Sequence, residues 1–352
     1  MKNVKQNAGI WIILAAAAVF LLVSLVIKLN NRTGKIIEVS SGYRVVMGTI
    51  ARITVITDSV ENGQKSINAA FDCFQNIEDM MSYHLPDSQL SLVNHNAFGH
   101  AVPVSDDLFE VIKKSIEFGK LSDGAFDITI GPVEDLYRAA EKQNILPTDE
   151  QIAAAKAKTG YEKIIIDEKN KTVRFAVDGM KLDLGGIAKG FAVDKAYEIL
   201  KANGAVGGLV DLGGNIRCFL TPAAPRKTWL IDLQDPNVTE SDMSGKSLLV
   251  LKLQDMSVST SGDYRRFETI GGKKFSHIID PRKASSSSEL SSVTILAASA
   301  ADADALSTAV TVLGEKKGLE LIASIPDTKA IIITAAPEFK MTKSSGADAF
   351  IK

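Results

Sequence analysis

From Ala8 to Ile27 the chain carries no charged residue and is Ile, Leu, Val, Ala, Phe and Trp almost throughout. Twenty such residues span about 30 Å as a helix, the thickness of a bilayer core, so this stretch is set apart from any water-soluble domain. Three readings compete for it. A cleaved signal peptide wants a shorter apolar core and a small-x-small cleavage site, and Ser24 to Leu29 offers no good one. A lipoprotein signal needs a cysteine soon after the apolar run, whereas the first cysteine is Cys73. An uncleaved single-span anchor over residues 8–28, after a short tail at 1–7, fits best. Lys2 and Lys5 precede the span and Lys28, Arg32 and Lys35 follow it, so the positive-inside rule does not fix its orientation. A short N-terminus before a single span reads as an export signal, and the bulk of the chain is expected outside the cytoplasm.

Beyond a polar linker at 29–42, the remainder is long enough for one large domain or two lobes. The whole chain's 40 basic and 42 acidic residues are interspersed, which leaves no electrostatic footprint for nucleic acid. Cys73 and Cys218 sit far apart in apolar contexts and read as two buried thiols, and no Cys/His spacing suggests zinc. Tyr43 to Asp58 is β-branched and extended. Ile67, Ala70, Phe71, Phe74, Ile77 and Met81 recur at helical spacing and predict a helix over Glu61 to Met81. Further helices are expected from Asp106 to about Leu121, capped by Ser105 or Asp106, and from Thr148, where Thr-Asp-Glu-Gln makes a capping box, to Lys158. Short strands at Lys163–Asp167 and Thr172–Ala176 precede a helix from about Ile187 to Asn203, ended by Gly204. A strand at Leu209–Asp211 and several β runs from Trp229 to Asp280 follow. Then come a strand at Ser292–Ala297, helices at Ala301–Leu313 and Lys316–Ser324, and a strand at Ala330–Thr334. Such an order is mixed α+β with antiparallel connections, not a βαβ alternation.

Four polar islands interrupt the apolar elements. Asp183-Leu-Gly-Gly-Ile-Ala-Lys-Gly190 places a carboxylate, two glycines suited to a tight turn, and a lysine just inside a helix. N–H groups at a helix start attract phosphate, and glycines let a ligand approach the main chain. Asp211-Leu-Gly-Gly-Asn215 echoes it. Asp123-Gly-Ala-Phe-Asp127 follows a helix and is also what a C-cap glycine would look like. Phe275-Ser-His-Ile-Ile-Asp-Pro281 holds His277, one of four histidines, either an edge residue or a proton carrier. In Ala301-Asp-Ala-Asp-Ala-Leu-Ser-Thr308, Asp304 and Thr308 lie one helical turn apart. Together they offer the oxygen ligands that Mg²⁺ or Ca²⁺ prefers, unless Asp302 or Asp304 merely caps the helix.

Taken in order, Met47-Gly-Thr, Gly-Ala-Phe-Asp127, Asp183-Leu-Gly-Gly-Ile-Ala-Lys-Gly, Asp211-Leu-Gly-Gly-Asn, Ser259-Thr-Ser-Gly-Asp-Tyr-Arg265, Ser276-His-Ile-Ile-Asp-Pro and Asp304-Ala-Leu-Ser-Thr308 resemble the ApbE family of FAD:protein FMN transferases. The resemblance covers about residues 43–340, which it makes the catalytic domain, with 341–352 as a C-terminal tail. It implies an α+β, T-fold-related arrangement of mixed sheets and helices in two lobes behind the N-terminal transmembrane helix. It also implies a reaction: FMN passes from FAD to a Thr or Ser hydroxyl of a target protein, with Mg²⁺ bound and AMP released.

Carried onto this sequence, the resemblance makes Met47, Tyr83, Ala125, Phe126 and Asp127 line the flavin and adenine sites. Asp183 and Lys189 contact FAD, and Ile278 or Ile279 packs on it. Asp304, Thr308 and the main chain at Gly186 hold the metal, and His277 activates the acceptor hydroxyl. The acceptor is expected to be a membrane or exported redox protein carrying a Ser/Thr-Gly-Ala-Thr-like signature. Two departures stand out. Ser307 falls where many relatives have a carboxylate, and Lys283-Ala-Ser-Ser replaces the usual Thr-Gly after Arg282, which predicts a longer, more mobile loop. Ser344-Ser-Gly-Ala-Asp348 mimics the acceptor signature but has no hydroxyl at the modified position, which excludes self-modification there. The same site with water as nucleophile would be an FAD pyrophosphatase, and without turnover it would be a flavin-binding protein.

Overall fold

Alternating apolar positions along eight strands build one antiparallel sheet with two buried faces. The computed structural model describes residues 36–236, 247–262, 267–276, 278–287 and 289–352. The expected tail at 1–7, the anchor at 8–28, most of the linker and His277 therefore lie outside the described residues. Among the described residues, no helix is long and apolar enough to cross a membrane. In spatial order the strands are Ile37–Val46, Thr49–Thr57, Gly207–Leu212, Asn215–Leu220, Met256–Gly262, Leu290–Ala297, Lys329–Thr334 and Met341–Lys343.

Neighbouring residues of a strand point to opposite faces, and here both faces are covered. Ile53, Val55, Leu212, Val293, Ile295 and Ile332 point to one side and join the main core. Three helices pack there: Val60–Met81, Ala188–Ala202 and Ala300–Ala323. Ile56, Ile216, Val258, Leu296 and Ile331 point the other way, under a two-stranded hairpin of Trp229–Gln234 and Ser247–Leu253 that contributes Trp229, Ile231, Leu233 and Leu251. The expected two lobes are instead layers on a shared sheet. The main core runs unbroken from Ala51 and Ile53 through Phe74 to Leu108, Ile112 and Phe175, because each helix presents its apolar stripe to the same sheet or to a helix already on it. A satellite core around Val133, Tyr137, Ile270 and Ala284 seats the helices Gly131–Gln143 and Asp149–Lys156.

The local signals read from the sequence operate as expected at several helix starts. Ser105 caps its helix and Thr148 with Gln151 forms the full capping box, while Ser59, not singled out in the sequence, caps the Val60–Met81 helix. Gly314, at φ 78°, separates the two helices expected on either side of it. Two expected boundaries shift. The first strand starts at Ile37 rather than at Tyr43, because Val39 packs on the Val60–Met81 helix where Gly63 leaves room for it. The segment after Pro337 is no tail either. Met341–Lys343 pairs with Ile331–Ile333, Ala347 is fully buried, and Ile351 bridges to Leu251. The helices Gln89–Asn96 and Gly131–Gln143 were not legible; the second starts Gly-Pro, which reads as a turn although Pro is well suited to a first helical turn.

Cys73 and Cys218 are both free thiols, as expected. Burial pushes them up to about 11 and about 12 respectively, so neither is a thiolate near neutral pH.

Candidate active site

Two helices meet at their first turns and cap one another. Gly190, in the first turn of Ala188–Ala202, donates its N–H to Asp304 Oδ2 at 3.0 Å. From the same helix, Asp194 accepts from the N–H groups of Ala300 and Ala301 at 2.8 and 2.9 Å, and from the Ser299 hydroxyl at 2.9 Å. Each helix thus supplies the carboxylate that satisfies the other's orphan N–H groups. Arg217 holds Asp194 in place at 2.6 Å and lies 3.7 Å from the centre of the Tyr197 ring. The sequence alternatives for Asp302 and Asp304 resolve here. Ser299 caps its own helix, Asp302 pairs with Lys114 at 2.6 Å, and Asp304 caps the facing helix instead.

The approach of these helices explains one glycine of the Asp183–Gly190 segment. A Cβ on Gly190 would lie 2.3 Å from the Ala300 carbonyl oxygen. Gly186 faces Thr308, since a Cβ there would be 3.2 Å from Thr308 Oγ1 and 3.1 Å from Phe126 Cε2. Gly185 and Gly186 form the expected tight turn, closed by the Ile187 N–H on the Leu184 carbonyl at 3.0 Å; neither has positive φ, and what Gly186 adds is a close approach to Thr308. The echo at Asp211–Asn215 is different in kind: Gly213 and Gly214, at φ 63° and 88°, form the two-residue turn of a hairpin that pairs Leu212 with Asn215.

A cleft of about 950 Å³ opens over this junction. Of the thirteen residues expected at the site, the twelve that are described all line it: Met47, Tyr83, Ala125, Phe126, Asp127, Asp183, Gly186, Lys189, Ile278, Ile279, Asp304 and Thr308. One end is apolar. Met47 sits at φ 51° in a hairpin turn with Gly48, and its N–H donates to the Glu78 carboxylate at 3.0 Å. Phe126 packs edge-on against Phe118, and Ile278 joins Ala125 in a small cluster with Val312. Asp123 and Gly124, both left-handed, close the Asp106–Leu121 helix as the capping reading required, and that cap delivers Ala125 and Phe126 to the wall.

Polar and charged groups line the rest. Asp183 is held by its N–H to the Ile128 carbonyl at 2.7 Å and accepts from the Gly185 N–H at 2.7 Å. Before it, the Asn94 amide clamps Leu182 through both its N–H and its C=O. Lys189 reaches the Gly185 carbonyl at 2.9 Å. Asp304 is only 4 % exposed, and burial raises its carboxyl above the ordinary range, while Lys189, the Gly190 N–H, Ser259 and Asn215 act to lower it. Asp127 is buried and structural: one oxygen accepts from Thr129 N and Oγ1 at 2.8 and 2.7 Å, the other from Tyr161 N at 2.9 Å. Burial raises its carboxyl too.

Several site residues escaped the sequence. Glu134 lines the cleft beside Asp183; burial first, then the Asp183 charge and hydrogen bond, push its carboxyl well above the usual range. A Glu in a first helical turn reads only as a dipole complement, which gives no signal. Asn215 and Ser259 are joined at 2.5 Å, and Ser261 meets Ser307 at 2.7 Å behind Asp304. Ser307 donates to the Asp304 carbonyl at 2.8 Å, so the position carries a neutral hydroxyl tied into its own helix.

The expected long loop after Arg282 is also absent. Ile279–Asp280 pairs with Ser285–Ser286, the Arg282 guanidinium clasps Asp280 with bonds of 2.8 and 2.9 Å, and Tyr137 Oη donates to the Ala284 carbonyl at 3.0 Å. Ala284 stands at φ 51°, the left-handed conformation in which glycine is easiest.

Asp304 and Thr308, with Gly186 close to Thr308, offer hard oxygen donors, and a buried carboxylate that feels the Lys189 charge suits a divalent metal. Among the described residues no group of three or more His, Cys, Asp or Glu is placed to hold a metal, so such a site has few protein ligands.

Comparison with known proteins bears on this arrangement. The model of the ApbE family matches residues 47–332. An FAD:protein FMN transferase of Treponema pallidum is 31 % identical over 320 residues, covering 87 % of each chain. Another from Haemophilus influenzae is 33 % identical over 314 residues, covering 86 % of this chain and 88 % of that one. Among solved structures, the ApbE protein of Thermotoga maritima superposes with a TM-score of 0.79 at 29 % identity, over 90 % of this chain and all of the other. Flavin transferase ApbE from Vibrio cholerae gives 0.76 at 28 %, over 90 % of this chain and 99 % of that one.

Proposed function

The chain belongs to the ApbE family, and from that premise we propose that its cleft joins FMN from FAD to a hydroxyl of an acceptor protein, using Mg²⁺ held by Asp304, Thr308 and the Gly186 carbonyl. The observation that carries the reading is the position of Asp304. It is a buried carboxylate fixed on the helix that faces Gly186 and Lys189, in a cleft whose wall carries both apolar and charged residues. FAD is likewise mixed, with flat rings at its ends and a pyrophosphate between.

Met47, Tyr83, Ala125, Phe126 and Ile278 or Ile279 are assigned to the rings, while Asp183 and Lys189 orient the polar middle. The acceptor oxygen attacks the flavin-side phosphorus, the P–O bond to the adenosine phosphate breaks, and AMP leaves with the bonding electrons. The hydroxyl proton passes to His277, the assigned base, because an unassisted hydroxyl is a weak nucleophile. When bound, the metal supplies neutralisation of the pyrophosphate charge as AMP departs. Lys189 adds a fixed positive charge on the same side.

The experiment is the partition of product. With FAD, Mg²⁺ and a Ser/Thr-Gly-Ala-Thr-bearing acceptor, labelled acceptor and AMP are expected to form in equal amounts. Free FMN in place of labelled acceptor would make water the nucleophile and the protein a pyrophosphatase. His277→Ala is expected to slow transfer by about 10²–10⁴-fold with FAD affinity unchanged, the usual weight of a general base. An unaltered rate would remove His277 from that role.

We also propose that residues 8–28 anchor the transferase with its domain outside the cytoplasm, beside a membrane or exported acceptor. Full-length protein should then sediment with membranes after an alkaline carbonate wash; release into the supernatant would contradict the anchor.

A further inference from the structure

We infer that the open edge of the Trp229–Gln234 strand is the docking site for an extended segment of the acceptor protein, which adds to it as a third strand. The inference rests on the FMN transfer reading and concerns its second substrate. Side chains of a strand alternate between faces, so a cavity against one face meets every second residue. Here Ile231, Asp232, Leu233 and Gln234 line the cleft consecutively, although they alternate buried and exposed. A cavity touching four residues in a row, with Leu248 of the paired strand beside them, reaches the strand's main chain and not one face alone.

That edge has no partner among the described residues. The strand belongs to a two-stranded sheet and pairs only with Ser247–Leu253. The far side of Ser247–Leu253 is already taken by the C-terminus, through the Leu251–Ile351 bridge and the Lys352 N–H to the Val250 carbonyl at 2.9 Å. Main-chain donors and acceptors facing a cavity are matched by another main chain, the usual basis of strand addition to an exposed edge. Neither flavin nor adenine can repeat that spacing.

The position suits a second substrate. The residues assigned to FAD and metal gather around the helix side of the sheet, whereas this arm is floored by Val258 and Ile331 from the opposite face. The two arms meet across the end of the Met256–Gly262 strand. Thr260 bonds Thr294 at 2.9 Å, and the next residue, Ser261, bonds Ser307 in the turn after Asp304 at 2.7 Å. A polypeptide along the edge therefore reaches the end of that strand, one hydrogen bond from the turn after Asp304.

The test uses full-length protein, FAD, Mg²⁺ and a synthetic peptide carrying the Ser/Thr-Gly-Ala-Thr signature, methylated at one backbone nitrogen at a time. Methylation at alternate positions is expected to lower kcat/KM for the peptide by about five- to tenfold each, the weight of one lost hydrogen bond, with the intervening positions silent. Amide exchange in residues 229–234 should slow when the peptide is added and not with FAD and Mg²⁺ alone. A labelled peptide with a flat methylation scan, or protection of 229–234 by FAD alone, overturns the docking edge and leaves the transferase reading intact. An unlabelled parent peptide with FAD bound overturns both.

Discussion

Replacing Asp304 by alanine is expected to reduce FMN transfer by about a thousandfold, the loss that follows when roughly 4 kcal/mol of electrostatic stabilisation leaves a phosphoryl-transfer step. Asp304 holds two positions at once, since its Oδ2 also caps Gly190 N at 3.0 Å. Alanine therefore removes a ligand and a cap together, and a fall in activity alone would not separate them. Asparagine does. It keeps an oxygen for the Gly190 N–H and removes the charge, so Asp304→Asn should match wild type in unfolding midpoint yet fall in transfer nearly as far as alanine. Metal titration of the two variants, followed through the flavin signal of bound FAD, should show weakened Mg²⁺ dependence in both. Full transfer by Asp304→Asn at ordinary Mg²⁺ would mean that the carboxylate serves the fold and not the reaction.

The second large effect is on stability. A methyl group at Gly190 would sit 2.3 Å from the Ala300 oxygen and 2.6 Å from its carbon, both backbone atoms in a helix start that Asp194 pins with three hydrogen bonds. Nothing flexible is available to yield, so the helices must part. Gly190→Ala is expected to cost about 3 kcal/mol, at the upper end of overpacking penalties, and to displace Asp304 from Gly186. Gly204→Ala is the natural comparison: its φ of 81° strains an alanine, but no atom lies within 4 Å of the added carbon. A cost of about 1 kcal/mol is expected there. Denaturant unfolding of both variants measures the difference, and a Gly190→Ala protein as stable as wild type would refute the close crossing.

Periodicity and caps made much of the helical layer legible. Ser59, Ser105 and the Thr148–Gln151 box each act within their own segment, and so does the break at Gly314. What stayed hidden is what depends on partners distant in sequence. The edge strand from Ile37 looked like linker because its polar half faces outward; its pairing with Thr54–Thr57 and Val39 against Gly63 tie this stretch to the core. The C-terminal residues looked like a tail until Met341–Lys343 found the sheet edge.

The site divides along the same line. Its residue types were visible as interruptions of apolar runs, and the twelve described positions do share one cleft. The logic that holds them there was not. A glycine in a turn-like motif is required by a carbonyl more than a hundred residues later, and Asp304, whose alternative reading is a cap of its own helix, caps another. Glu134 and Asn215 gained significance only through Asp183 and Ser259, contacts that no local pattern announces.

Whether the cleft transfers FMN is decided by the intact mass of a signature-bearing acceptor after incubation with this protein and FAD, with Mg²⁺ and in parallel with chelator. A gain equal to one FMN phosphoester with matching AMP, present with Mg²⁺ and abolished by chelator, is the expected result. An unmodified acceptor in the presence of bound FAD and Mg²⁺ would contradict it.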